Sequence, residues 1–213
     1  MGGNAESTLS WMRVGGVGGL LGIVAYLAAA FAPLPDTAGY AAAFAFGPLI
    51  AVGAFGLRRA LALHRPGPVV DLSALFAAAG GFTVLAMLTT QQAIFAVTRK
   101  PGATVDPQLE AGLDAVHFGL DVAWDVLIGT ATVLLGVAML GHPRFGRVMG
   151  AVGILLGLLL LGFNLWHFPI PPEAAGSFDW GPFVALWMVV TFVMLLRSQR
   201  WAREILARGA TPG

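Results

Sequence analysis

Proline, glycine and arginine divide the chain into six long apolar stretches, and any fold must first find a solvent for them. They run from Arg13 to Ala32, Thr37 to Leu57, Val70 to Val97, Asp114 to Leu140, Arg147 to Phe168 and Trp180 to Leu196. A helix needs about 20 predominantly apolar residues to cross a hydrocarbon core roughly 30 Å thick, and each stretch approaches or exceeds that length. Backbone in lipid must satisfy its own hydrogen bonds, so helices are what such stretches form. Composition agrees: 11% of the 213 residues are charged and 57% are hydrophobic, against roughly 25% charged in an average soluble domain. A soluble globule would lack its charged skin, a disordered chain would be poorer in apolar residues, and a disulfide scaffold would need cysteines, of which there are none. The expectation is an all-α, polytopic integral membrane protein, with one six-helix transmembrane domain over residues 1–213.

Pro33 and Pro35 close the first stretch, Arg58 and Arg59 the second, Arg99, Lys100, Pro101 and Gly102 the third, and Pro169, Pro171 and Pro172 the fifth. Loops on the cytoplasmic side carry an excess of Arg and Lys. With the N-terminus inside, Arg13, Arg58, Arg59, Arg65, Arg144, Arg147, Arg197, Arg200, Arg203 and Arg208 all fall on the inner side, leaving Arg99 and Lys100 outside. The outer loops are acidic, with Asp36, Asp106, Glu110, Glu173 and Asp179. This predicts both termini in the cytoplasm and a multi-pass location in a bacterial inner (plasma) membrane. The first stretch is no cleaved signal peptide on this reading, because its apolar run of roughly 18 residues exceeds the usual h-region of about 7 to 15. Met1-Gly2 does not make a myristoylation site, since Glu6 stands where Ser or Thr is needed. A net charge of +1 gives no reason to expect nucleic acid as a partner; the lipid bilayer is the expected one. The segment Arg197–Arg208 alternates arginine with Trp201, Ile205 and Leu206 at helical spacing, so it is expected to lie along the inner membrane surface.

Glycines four apart, at Gly15 and Gly19, Gly18 and Gly22, Gly146 and Gly150, and Gly153 and Gly157, put small residues on one helix face so that two backbones can approach. Helices one and five should therefore pack tightly, within the bundle, across a homo-oligomer or against a larger membrane complex. No phosphate-binding glycine motif is present.

Ionisable residues inside a span are costly and call for a reason. The fourth stretch carries His117, Asp121 and Asp125, within an arc of about 80 degrees on one helix face, with Trp124 beside them. Counting from the inner boundaries puts Asp121 near the outer hydrocarbon edge and Asp125 roughly 6 Å deeper. Asn164 and His167 of the fifth stretch and Gln92 of the third reach the same layer. One reading is a polar pocket in the extracytoplasmic third that binds or transports a small ligand or protons, with His117, Asp121, Trp124, Asp125, Asn164, His167 and Gln92 as its candidates. A second is a metal-dependent membrane enzyme, with His117, Asp121, Asp125 and His167 holding a divalent ion that activates water, although no His-Glu-x-x-His motif is present. A third is structural, the carboxylates bonding to His, Asn and Trp to hold helices together. The lead reading is non-enzymatic. His64 and His142, in the inner loops, are expected to be solvated, and Asp71 to cap the third helix.

The order Asp114-Ala-Val-His117-Phe-Gly-Leu-Asp121, a Leu-rich span, the turn His142-Pro143-Arg144-Phe145-Gly146-Arg147, a Gly-rich span and a Trp-containing last helix resembles a bacterial six-helix membrane family known as domain of unknown function 4386. That resemblance covers about the last half of the chain. It implies a six-helix fold and no established activity.

Overall fold

The computed structural model describes residues 2–31, 36–98 and 106–209, and these are helical except for short turns and one longer loop. The helices are α1 (Gly2–Phe31), α2 (Asp36–Ala62), α3 (Pro68–Thr98), α4 (Pro107–Met139), α5 (Gly146–His167), α6 (Gly181–Arg197) and α7 (Gln199–Gly209). Five of them, α1 to α5, are long and apolar enough to cross a membrane on their own. The sixth candidate is α6 taken together with α7, a pair bent by 48°. Over the described residues the chain is thus an all-helical bundle with five or six membrane-compatible helices. Pro33, Pro35, Arg99, Lys100, Pro101 and Gly102 lie outside the described residues.

Local chemistry explains where these helices begin and end. Asp106 accepts the Gln108 N–H at 2.7 Å and Pro107 follows as the first helical residue, so α4 starts a full two turns before its apolar stretch. Arg58 and Arg59 do not end α2, which continues to Ala62 because a charged residue at an exposed helix end breaks no backbone hydrogen bond. Asp71 does not cap α3, against the expectation from the sequence. It lies inside the first turn of α3, and its carboxylate accepts from Arg58 Nε at 2.7 Å, tying α3 back to α2.

Facing residues fix the topology. Gly15 meets Gly56 and Gly22 meets Leu49 and Ile50, so α1 and α2 are antiparallel. The pairs Arg58 with Asp71 and Gly47 with Gly81 do the same for α2 and α3. Gly136 with Gly150 and Gly129 with Gly157 set α4 against α5. Gly16 with Leu196 and Gly19 with Phe192 bring α6 back beside α1. The six helices therefore close a ring in chain order, of which α5 against α6 is the sparsest seam. The termini of the helices that carry arginine all meet at one end of the ring.

The glycines earn these contacts by having no Cβ. A Cβ on Gly15 would lie 2.5 Å from Gly56 Cα, and one on Gly136 or Gly150 would lie 2.6 Å from the other's carbonyl oxygen. Such approach is what small-residue faces provide in membrane helices. Both α1 and α5 are packed in this way within the bundle. Gly146 departs from the expected pattern: it has φ +77 and nothing near its absent Cβ, so it makes the turn into α5 and not a helix contact.

At the arginine-rich end, His142 overturns the expectation of a solvated side chain. It is 1% exposed, with its ring against His64, Phe145 and Trp201 at centroid distances of 5.3, 4.9 and 4.9 Å. Trp201 belongs to α7, which packs beneath α1 with Ala202 fully buried. The arginines Arg200, Arg203 and Arg208 stay exposed on the other face of α7, so the helix is amphipathic and docked on the bundle end.

Candidate functional site

The polar residues of α4 start outside the packed region and end inside it. Asp114 is exposed, His117 and Asp121 are half-buried, and Asp125 is 5% exposed. The series descends because the residues lie at successive turns of one face. Below Asp125, α4 continues as a buried apolar face through Ile128, Ala131 and Leu135.

Asp125 meets Asn164 of α5. Asn164 is 1% exposed, and its Nδ2 donates to Asp125 Oδ2 at 2.8 Å and to the Leu160 carbonyl at 3.0 Å. Two acceptors on one side fix the amide orientation, since its oxygen could bond to neither of them. That leaves Asn164 Oδ1 buried with no hydrogen-bond partner. A buried acceptor without a donor carries a desolvation penalty of about 1 to 3 kcal/mol.

Beside Asp125 lies a cavity of about 30 Å³, walled by α1, α2, α4, α5 and α6. Tyr26, Trp124 and Asp125 form its polar and aromatic side, and Ile23, Ile50 and Met188 are among its apolar walls. Phe46 meets the Trp124 ring edge-on at 5.9 Å, which fixes the indole against the cavity. This volume admits one or two water-sized groups and nothing larger.

The loop between α5 and α6 returns onto the site. Pro171 and Pro172 are buried, which seats the loop on the bundle and brings Glu173 and Asp179 to the α4 carboxyl groups. Glu173 lies close enough to Asp121 for the two carboxyl groups to act on one another. Tyr26 is close enough to feel Asp179, Asp121, Asp125 and Glu173. Asp179 Oδ1 accepts the Gly181 N–H at 2.7 Å and so opens α6. Burial raises the Asp179 carboxyl above its ordinary 3.8, with the Gly181 N–H working against that shift and Glu173 adding to it.

The structure therefore brings together Asp121, Trp124, Asp125 and Asn164 of the sequence candidates. It does not join His167 or Gln92 to them by any hydrogen bond among the described residues. His167 lines a separate groove on the bundle surface with Phe163, Trp166 and Ser177. His117 is half-buried with its ring beside Phe118 and its Nδ1 unpartnered. Among the described residues, no three His, Cys, Asp or Glu side chains share a centre that could hold a metal ion. The set His117, Asp121, Asp125 and His167 is accordingly not assembled as metal ligands.

Sequence reasoning placed Glu173 and Asp179 only in an acidic loop and passed over Tyr26. The two acids sit 48 and 54 positions beyond Asp125 in the chain, and nothing local in the sequence says that the loop folds inward. The buried pair Pro171-Pro172, just before Glu173, is the one local trace of it.

The bundle and its buried carboxyl site define the class: a helical membrane protein with a polar site near the arginine-poor end. Comparison adds no narrower identity, for no family model, curated protein or solved structure matches the chain.

Proposed function

We propose that this protein binds protons from the extracytoplasmic side at Asp125, without enzymatic turnover, and that its arginine-rich end faces the cytoplasm. The observation that carries the reading is the chemistry of the site. The carboxyl groups of Asp121, Asp125, Glu173 and Asp179 and the orphan oxygen of Asn164 are acceptors, and no Arg or Lys forms an ion pair with any of them among the described residues. Such a site calls for a proton or another small donor, and it repels anions. The cavity beside Asp125, about 30 Å³, excludes an organic ligand of ordinary size. Orientation follows from the arginines gathered at the other end.

Infrared difference spectroscopy of the protein in lipid, recorded on stepping the external pH, tests this. A protonated-carboxyl band should appear on acidification and be missing from Asp125→Asn, while the variant still inserts and folds. An unchanged difference spectrum in Asp125→Asn would remove Asp125 from any proton binding. A variant that misfolds, when Asp125→Glu both folds and shows no carboxyl band, would make the Asp125–Asn164 bond a helix tie and nothing more.

A further inference from the structure

We propose that the cavity between the α2–α3 turn and the arginine-rich end of α4 seats the head of one anionic phospholipid, held by Arg65. The inference stands apart from proton binding at Asp125, because the two sites lie at opposite ends of the bundle.

The ends of the helices set the depth of this site. Pro68 opens the membrane-compatible stretch of α3, and Met139 closes that of α4. Between these two boundaries lies a cavity of about 550 Å³, lined by Val69 and Val70 of α3, Val137 and Ala138 of α4, and His64 and Arg65 of the turn before α3. Its volume is that of a ligand pocket, roughly 300 to 1,000 Å³, and its level, where apolar spans give way to turns, is that of lipid headgroups. Gly67 and Gly141 also line it, and a Cβ on either would find nothing within 4 Å, so both turns leave the space open. His142 holds the two turns together: its ring lies 5.3 Å from that of His64, and its Nδ1 accepts the Arg144 N–H at 3.1 Å.

Charge selects the occupant. Arg65 is exposed and forms no ion pair among the described residues. The acid closest to it in sequence, Asp71, is already matched by Arg58 at 2.7 Å. A guanidinium presents a rigid fork of N–H donors that fits phosphate oxygens, and the His64 ring adds another N–H. Toward the middle of the bundle, Leu72 and Leu75 follow Val69 at steps of three residues and are exposed with it, so an apolar track runs down α3 from the cavity. A cation above such a track is the complement of an amphiphile with an anionic head and an acyl tail. Free phosphate would use only the upper part of this surface, and a zwitterionic head would bring its own ammonium group towards Arg65.

Native mass spectrometry of the full chain in detergent, incubated with equal amounts of phosphatidylglycerol and phosphatidylcholine of the same acyl composition, tests this. One phosphatidylglycerol per chain should be retained in preference to phosphatidylcholine. Arg65→Gln should weaken that retention by about fivefold, and Val137→Trp, which fills the cavity and leaves every charge in place, should remove it. Arg13→Gln, at the same end but on α1, should change nothing. Equal retention of the two lipids would overturn the proposal, and so would an Arg13→Gln effect as large as that of Arg65→Gln, which would make the attraction one of bulk charge. Radiolabelled inorganic phosphate that binds the lipid-free protein and is lost in Arg65→Gln would assign the cavity to a free anion and overturn the lipid. Arg65 is exposed in a turn, so its substitution threatens folding little. Should Arg65→Gln nevertheless misfold, a folded Val137→Trp protein that keeps its phosphatidylglycerol overturns the site equally well.

Discussion

Protonating His142 should loosen the arginine-rich end of the bundle, and the size of the effect can be worked out from its surroundings. Burial lowers its pKa from 6.5 to about 4; the Ala60 carbonyl opposes that shift, and nearby His64 and Arg144 add smaller contributions in the same direction as burial. Nδ1 accepts the Arg144 N–H at 3.1 Å, so the neutral ring carries its proton on Nε2. That Nε2 faces Ala60 without completing a well-formed bond. In the unfolded chain the ring takes up a proton near pH 6.5, whereas the folded protein resists until about 4. Between those values the unfolded state binds more protons, so stability falls as pH drops through this window and is flat above it. A displacement of that size corresponds to about 3 kcal/mol once pH is below 4. Other groups titrate in the same range, and His142→Phe isolates the effect by keeping an aromatic ring among Phe145, Trp201 and His64 while removing the titration. Unfolding of both proteins in mild detergent, measured from pH 4 to 7.5 by near-ultraviolet circular dichroism, should show the parent losing about 3 kcal/mol more than the variant over the acidic half. Parallel curves for the two proteins would refute the reasoning, and so would a parent that is more stable at pH 4.5 than at 7.

Two further outcomes follow from contacts already described. Gly136→Leu should destabilise the bundle by about 1 to 3 kcal/mol or prevent folding, since the new side chain meets the backbone of Gly150 at 2.6 Å. Gly162→Leu, where nothing lies within 4 Å, should be neutral when thermal unfolding of the two variants is compared with that of the parent. Asp179→Ala should cost about 1 kcal/mol by leaving the Gly181 N–H unpaired, and Asp179→Asn should retain most of that contact. Because burial raises the Asp179 carboxyl above 3.8, the unfolded chain releases its proton first. Stability from this group therefore declines as pH rises past 3.8, and equilibrium unfolding of Asp179→Asn should lack that slope.

The helices were legible because their signal is long and local. An apolar run of 20 residues has few alternatives, and the ends moved only where the chain could stay helical in a more polar setting, as at Asp106-Pro107 and beyond Arg58. Glycine spacing announced close packing but not the partner: Gly15 finds Gly56, a residue never paired with it in the sequence reading. The site was half legible. Asp121, Asp125 and Asn164 could be set at one depth by counting residues from span ends, since rise per residue is fixed. Which of the polar residues at that depth face inward was another matter. Asn164 turns into the bundle and bonds to Asp125, while His167, three residues on, lines a surface groove. His142 shows the same limit at the other end, where a loop residue is buried by Trp201 from a helix 59 positions later.

The proposed proton binding gives a reason for the costly placement of Asp125. Inserting a carboxylate at mid-helix costs roughly 2.5 to 3.5 kcal/mol, and the neighbouring amide returns part of that with one hydrogen bond. An asparagine in its place would accept from Asn164 Nδ2 through its oxygen and donate to the orphan Asn164 Oδ1 through its own amide nitrogen. Helix tying would therefore be better served by Asn than by Asp at this position. What Asp125 offers, and Asn does not, is an exchangeable proton on a group beside a water-sized space. A carboxyl that spends part of its time protonated can donate to that same orphan oxygen, and then release its proton when it turns away. On the proposed reading, the unpaired oxygen of Asn164 is the complement of a protonated Asp125, so that the pair would be satisfied in one protonation state and short of a donor in the other.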